Sequence, residues 1–198
     1  MTNVERRITD ILRAEAEAIL AAPVDAAYEQ ALEALLGCPG KVLATGMGKA
    51  GLVARKFAAI LSSTGTPAVY VHPAEAAHGD LGLVAPGDCI VAFSTSGKTR
   101  EVLEMVEFAR HLGAGTVIGI TSHTDSDLRD ISDVLVDMGV VDEPCPLGLT
   151  PSASMAVMSA ISDALALVLM EQKGITRHDY GLRHHGGYLG RMARLDNT

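Results

Sequence analysis

Asp88-Cys89-Ile90-Val91-Ala92-Phe93-Ser94-Thr95-Ser96-Gly97-Lys98-Thr99-Arg100-Glu101 passes from an apolar run, through hydroxyls and a glycine, into a charged segment. Cys89 to Phe93 is apolar throughout, as a strand covered on both faces requires. From Arg100 onward Val102, Leu103, Val106 and Ala109 recur at helical spacing with charges between them. A strand that enters a helix through such a turn builds an anion cradle. The turn's N–H groups, the positive end of the helix and the hydroxyls of Ser94, Thr95, Ser96 and Thr99 all face one point. The bland reading of the same residues is a serine-rich capped turn. Ala92 to Thr99 also approaches the Walker phosphate loop, with alanine in place of the first glycine, and residues 134–137 could pass for its acidic strand. Phe93 and Ser94 read as strand, which leaves little loop to wrap a triphosphate, so a nucleotide ranks below a phosphate monoester.

Outward from this stretch the order strand–turn–helix repeats. Val42-Leu43-Ala44 reads as a strand, Gly46-Met47-Gly48-Lys49-Ala50-Gly51 as a glycine-rich turn, and residues 52–63 as a helix. Further strands are expected at 68–71, 89–93, 117–120 and 134–136, with helices between most of them. The pattern predicts an α/β fold: a doubly wound, five-stranded parallel sheet flanked by helices, of flavodoxin-like type. In such sheets the ligand lies outside the carboxyl ends of the strands, where both turns would sit. Gly46 to Gly51 matches the dinucleotide pattern G-x-G-x-x-G, but the acidic residue expected at the end of the second strand is missing, and His72 stands there. Lys49 inside the turn suits a small anionic substrate better.

The 198 residues are expected to form one domain, 1–198, with two leading helices in 1–37 and a site-completing segment at 176–198. The first helix, residues 4–22, is amphipathic, and both leading helices are expected to brace a subunit contact. A net charge of −8 argues against a nucleic-acid partner. Cys38, Cys89 and Cys145 are odd in number and widely spaced, which reads as reduced thiols in a cytoplasmic protein. Charged residues near the start interrupt any signal-like apolar run. Residues 152–171 form a helix apolar on nearly every side, which approaches the length of a membrane span. Asp163, the serines and Lys173 favour a buried helix, covered in part by a second copy of the chain.

Two further stretches carry chemistry. His72-Pro73-Ala74-Glu75-Ala76-Ala77-His78-Gly79-Asp80-Leu81-Gly82 packs ionisable groups into a short connector, with His78 as the catalytic candidate. His72, His78 and Asp80 show no familiar metal-ligand spacing, so no metal is expected. Glu143 stands before Pro144-Cys145-Pro146, in a segment stiffened by prolines. The end, Tyr180 to Arg191, is expected to be too rich in glycine for a helix, and His184-His185 within it is either an incidental pair or completes a site, one in a neighbouring subunit included.

Taken together, Gly46-Met47-Gly48-Lys49, Ser63-Thr64-Gly65-Thr66-Pro67, the His72–Gly82 stretch, Ser94-x-Ser96-Gly97-x-Thr99, Cys145-Pro146-Leu147-Gly148-Leu149-x-Pro151 and His184-x-Gly186-Gly187-x-Leu189-Gly190-Arg191 resemble the sugar-isomerase (SIS) domain of the arabinose 5-phosphate isomerase family. The resemblance runs over residues 40–192 and implies interconversion of ribulose 5-phosphate and arabinose 5-phosphate. It implies catalytic roles for Lys49, His78, Glu101, Glu143 and His184, and a homotetramer with sites at subunit interfaces. Departures are Lys98 where the family commonly has Glu, Ala50 where it has Ser, and Arg183-His184-His185 where it reads Ser-His-Pro. Many members append CBS regulatory modules, and this chain resembles the form without them.

The chemistry implied is proton transfer between C1 and C2 through an enediol(ate), without a cofactor or membrane partner. It needs a base near neutral pKa, and a glutamate in a partly closed pocket can be raised into that range. Glu143 and Glu101 both qualify, and the proline frame favours Glu143. His78 and His184 suit ring opening or proton relay. Lys49 would stabilise the enediolate, and Ser94, Thr95, Ser96, Gly97, Lys98 and Thr99 the phosphate, with Gly48 and His72 against the sugar. A phosphosugar sensor without catalysis is the alternative reading, and a nucleotide binder the lesser one.

Overall fold

The computed structural model describes residues 1–195. Residues 196–198 of the expected C-terminal segment lie outside the described residues. Helix α1 (Asn3–Ala21) opens with a capping box in which Thr2 and Glu5 satisfy each other's backbone N–H. Pro23 separates it from α2 (Ala26–Leu36), where Asp25 accepts from Ala27 N at 2.9 Å. Then follow β1 (Val42–Gly46), α3 (Gly48–Ser63), β2 (Ala68–Val71), the short α4 (Pro73–Ala76) and a 3-10 turn, Asp80–Leu83. The second half runs β3 (Cys89–Phe93), α5 (Arg100–His111), β4 (Val117–Thr121), α6 (Asp127–Ile131), β5 (Val134–Asp137), α7 (Ala153–Gln172), α8 (Arg177–Arg183) and α9 (Gly187–Leu195).

The strands pair in the order β2-β1-β3-β4-β5, all parallel, as the alternation of elements requires. Thr45 of β1 lies opposite Val71 of β2 on one side and Ala92 of β3 on the other. The winding therefore reverses between β1 and β3. The β1–α3 and β3–α5 turns become neighbours at the carboxyl edge, the place where sheets of this kind hold their ligands.

Both sheet faces are covered by apolar packing. Val42, Ala44, Val91, Phe93, Ile118 and Ile120 point toward α2, α3 and α7, and Phe57 of α3 meets Phe93 edge-on with ring centres 5.6 Å apart. Leu43, Val71, Ile90, Ala92 and Val117 point toward α5 and α6. The alternation of neighbouring residues between two apolar layers explains why these strands read as unbroken hydrophobic runs. At the opposite, amino edge Asp88 is buried and holds Lys41 N at 2.9 Å, Lys41 Nζ at 2.6 Å and Ala85 N at 2.8 Å. Burial pushes its pKa up, but the bonds and charge of Lys41 outweigh this and leave it below the usual carboxylate value.

One expectation needs correction. The C-terminal stretch is helical. Thr176 and Asp179 form a capping box that starts α8, and Gly190 lets α9 approach the His184 carbonyl, which an added Cβ would meet at 1.8 Å. A glycine at a helix crossing is there for contact distance, so glycine content alone misjudged this segment. Helix α7 is apolar all round but is not covered all round. It buries Val157, Met158, Ile161, Leu165 and Leu169 against α1, α2 and α3, while Leu167 remains 51% exposed.

Candidate functional site

The cradle is built from residues 94–99, between the end of β3 and the start of α5. Ser94 is buried, its Oγ 2.9 Å from Thr99 Oγ1 and accepting from Gly97 N at 3.1 Å. Lys98 N donates to Ser96 Oγ at 3.2 Å. Thr99 is the N-cap of α5 yet its side chain makes no capping bond, because it faces Ser94. The first turn of α5 thus presents N–H groups at the carboxyl edge with no side chain of its own capping them. Gly97 has φ +63°, and a Cβ there would lie 1.8 Å from Ser126 Oγ, so this position accepts glycine alone. Ser96 and Lys98 are exposed at the mouth.

On the neighbouring strand, Gly48 and Lys49 form the first turn of α3 and both are exposed. A cation at the positive end of a helix works against the dipole, a cost that an anionic ligand offsets. The dinucleotide-like glycines have a packing explanation. A Cβ on Gly51 would meet the Gly46 carbonyl oxygen at 2.4 Å, so the glycines seat α3 on the end of β1. Tyr70 reaches over from β2 and donates to that same carbonyl at 3.0 Å, with the Arg55 guanidinium 5.8 Å from its ring centre.

His72 caps the end of β2, its ring edge-on to Tyr70 at 6.3 Å, and its Nδ1 is buried without a hydrogen-bond partner among the described residues. His78 is exposed in the turn after α4. Glu101, in the first turn of α5, lines a cavity of about 380 Å³ together with Pro73, Ala77, Leu81, Glu104 and Phe108. Glu101 therefore faces the segment that carries His72 and His78.

Glu143 behaves otherwise than expected. Its Oε2 accepts from Ser152 N at 2.7 Å and Ala153 N at 2.9 Å, and its Oε1 from Ser154 N at 3.2 Å and from the Ser154 hydroxyl. It is the cap of α7. Burial pushes its pKa up, but the Ser154 hydroxyl and the three backbone donors outweigh that and hold it below the usual value, opposite to the rise expected of a base. The Arg7 guanidinium of α1 donates to the adjacent Pro144 carbonyl, tying the first helix to this loop. In the same loop Cys145 Sγ accepts from Leu149 N and Thr150 N, both at 3.2 Å.

His184 is not brought to this edge. Helices α3 and α7 start at the carboxyl edge and run back side by side, joined by Lys56 Nζ to Asp163 at 2.6 Å and Lys173 Nζ to Thr66 at 2.7 Å. Each is roughly 24–30 Å long at 1.5 Å per residue. Helix α8 follows at their far end, where Arg183 approaches Gly65. There the His184 ring stacks on Tyr180 at 4.8 Å, and its Nδ1 is buried without a hydrogen-bond partner among the described residues.

The nucleotide alternative finds little support. Ala92 and Phe93 belong to β3, so the loop comprises 94–99 only, and Asp137 sits on the edge strand β5, separated from β3 by β4, with Oδ1 accepting from Gly139 N at 2.8 Å. Sequence reasoning missed Ser152, Ala153 and Ser154 as the seat of Glu143, and Tyr70 and Arg7 as braces. The carboxylate nine residues ahead of a long helix was a faint signal for the first of these, while the braces leave none.

A model of the SIS domain matches residues 35–170. The chain is 43% identical over 168 residues to the arabinose 5-phosphate isomerase KdsD of Pseudomonas aeruginosa, which covers 85% of this chain and 51% of that protein. The chain thus spans about half the length of the curated relatives it matches. Among solved structures, it superposes on a candidate phosphosugar isomerase involved in capsule formation from Bacteroides fragilis with a TM-score of 0.91 and 42% identity, over 94% of this chain and all of that one. It superposes on an Escherichia coli CFT073 protein in complex with arabinose 5-phosphate with a TM-score of 0.87 and 38% identity, over 93% of this chain and all of that one.

Proposed function

Because the chain belongs to the SIS-domain family, matched over residues 35–170, we propose that it is an aldose–ketose isomerase of a phosphorylated sugar, D-arabinose 5-phosphate and D-ribulose 5-phosphate. The observation that carries this is the meeting of two turns at the point where the winding reverses. One is a hydroxyl-lined cradle at an unshared helix N-terminus, and the other bears Lys49. A phosphate monoester fits the first, and the oxyanion of an enediolate fits beside the second.

In this reading the substrate's phosphate accepts from the hydroxyls of Thr95 and Ser96, from the one hydroxyl of the Ser94–Thr99 pair whose hydrogen is not shared, from the N–H groups at the start of α5 and from the Lys98 side chain, while the Gly97 and Lys98 N–H groups hold the turn in shape through Ser94 Oγ and Ser96 Oγ. Gly48 and His72 border the sugar. Glu101 carries the proton between C1 and C2, since it is exposed two residues past the cradle in the first turn of α5 while Glu143 has every lone-pair direction engaged. Glu143 is then a positioning residue that holds the start of α7. His78 assists ring opening. His184, a helix length away in its own chain, enters the site of a neighbouring subunit.

The neighbour is a second copy in a closed homotetramer. Val4, Ile8 and Leu12 of α1 and Leu182, Tyr188 and Leu189 of α8 and α9 are exposed apolar side chains that such a contact would cover. A cytoplasmic setting agrees with the free thiols of Cys38, Cys89 and Cys145. The net charge of −8 opposes an anionic substrate, so the site holds it with local basic groups against the general field, and the same charge argues against a nucleic-acid partner; no membrane partner is proposed.

Incubation with a panel of aldose phosphates in deuterated water is the test. Deuterium at C2 of arabinose 5-phosphate is expected. Tight binding with no exchange at C2 would make the protein a sensor and end the isomerase reading.

A further inference from the structure

The loop after β4 also ends at the carboxyl edge, and the scheme above does not use it. It is bound closely to the cradle. Ser122 N and Thr121 Oγ1 both donate to Thr95 O at 3.1 Å, and His123 N donates to Thr121 Oγ1 at 3.1 Å. Ser126 Oγ donates to His123 O at 2.7 Å and stands where a side chain on Gly97 would have to go. Every one of these polar groups has a partner within the loop pair. The Ser122 hydroxyl is the exception: it is buried and has none among the described residues.

Buried hydroxyls are nearly always paired, because removing one from water without a partner costs stability. Sites that bind polar ligands carry that cost in the free protein and recover it when the ligand arrives. We infer that Ser122 is a substrate-binding residue whose hydroxyl donates to the substrate's phosphate from the β4 side of the cradle. This rests on the phosphosugar reading of the same site.

Sheet order decides which end of the substrate it meets. Lys49 and His72 follow β1 and β2, on one side of the β3 cradle, and Ser122 follows β4 on the other. A phosphate seated in the cradle therefore sends its sugar toward Lys49 and His72. Its own oxygens turn toward Ser122. The site then holds the phosphate group between hydroxyls of two adjacent strand ends, those of residues 94–99 and that of Ser122.

The test compares wild type with Ser122→Ala by calorimetric titration of inorganic phosphate and of arabinose 5-phosphate, together with melting of the free protein. Loss of a hydrogen bond to a charged group predicts weaker binding of both ligands by about tenfold, with the fall in kcat/KM appearing in KM. The free variant is expected to melt no lower than wild type, because no protein hydrogen bond is removed. Unchanged affinity for phosphate overturns the inference, as does a lowered melting temperature with normal affinity, which would mark a structural hydroxyl. Loss confined to the sugar phosphate overturns the assignment to the phosphate end. If wild type binds phosphate yet exchanges no sugar phosphate, the isomerase reading falls, and the phosphate titrations alone still decide the role of Ser122.

Discussion

Exchanging Glu143 for glutamine separates a structural carboxylate from a catalytic one. The carboxylate accepts from three backbone N–H groups and one hydroxyl at the start of α7, a helix of 20 residues. An amide keeps one acceptor oxygen and turns an NH₂ group toward the remaining donors. Hydrogen bonds to a charged group contribute about 1.5–3 kcal/mol, and an N-cap about 0.5–2 kcal/mol. Allowing for partial solvent exposure, Glu143→Gln is expected to lose about 2–3 kcal/mol. For a chain of this size that lowers Tm by roughly 4–12 °C. Because the folded-state pKa is depressed, the stabilisation is present above the usual glutamate value of 4.5 and is lost as pH falls through the lower folded value. The gap between wild type and variant should therefore narrow in acid. Thermal melting at a series of pH values measures this, and C2 deuterium exchange measured well below the variant's Tm should stay within about tenfold of wild type. Glu101→Gln should do the reverse, keeping its Tm and losing about 10²–10⁴-fold in exchange. A Glu143→Gln protein that melts like wild type and exchanges about 10²-fold more slowly would refute the assignment.

Mixing Glu101→Gln and His184→Ala chains, each inactive alone, should restore activity through sites that combine an intact glutamate with an intact histidine from another copy; no recovery in mixed oligomers would place His184 outside the chemistry. Gly97→Ala should abolish binding of inorganic phosphate, measured by calorimetry, because the Cβ collides with Ser126 Oγ at 1.8 Å and φ is +63°. Asp88→Asn should cost about 2–4 kcal/mol by leaving Lys41 without its buried partner. That deficit, read by denaturant unfolding, should be full above the usual aspartate value of 3.8 and shrink as pH falls through the depressed folded value.

What could be read beforehand and what could not follows from the range of the forces involved. The parallel sheet, its strands and the cradle were legible because they are local: apolar runs of strand length, glycine and hydroxyl turns, and helical spacing are written in consecutive residues. That both turns share one edge followed from the same logic, since each joins a strand to the next helix. The fates of Glu143 and of the C-terminal stretch were not legible. Whether a carboxylate is free to take a proton depends on which donors surround it, and those of Glu143 arrive from residues 152–154 through a bend of the chain. Whether a glycine breaks a helix or lets another chain segment pack against it depends on what it touches, as Gly190 against His184 shows.

By itself, then, the amino-acid order determined the fold class and the hydroxyl-lined turn between β3 and α5, because hydrophobic period and turn chemistry act over a few residues. Only the tertiary structure decided which charged groups can act together. It carried Glu101 into the cavity beside the segment of His72 and His78, tied Glu143 to the N-terminus of α7, and left His184 at the far end of α3 and α7. Those placements depend on how whole helices lie across the sheet. Coupling between side chains decays within a few ångströms, so a helix length of separation removes a group from the chemistry of its own chain.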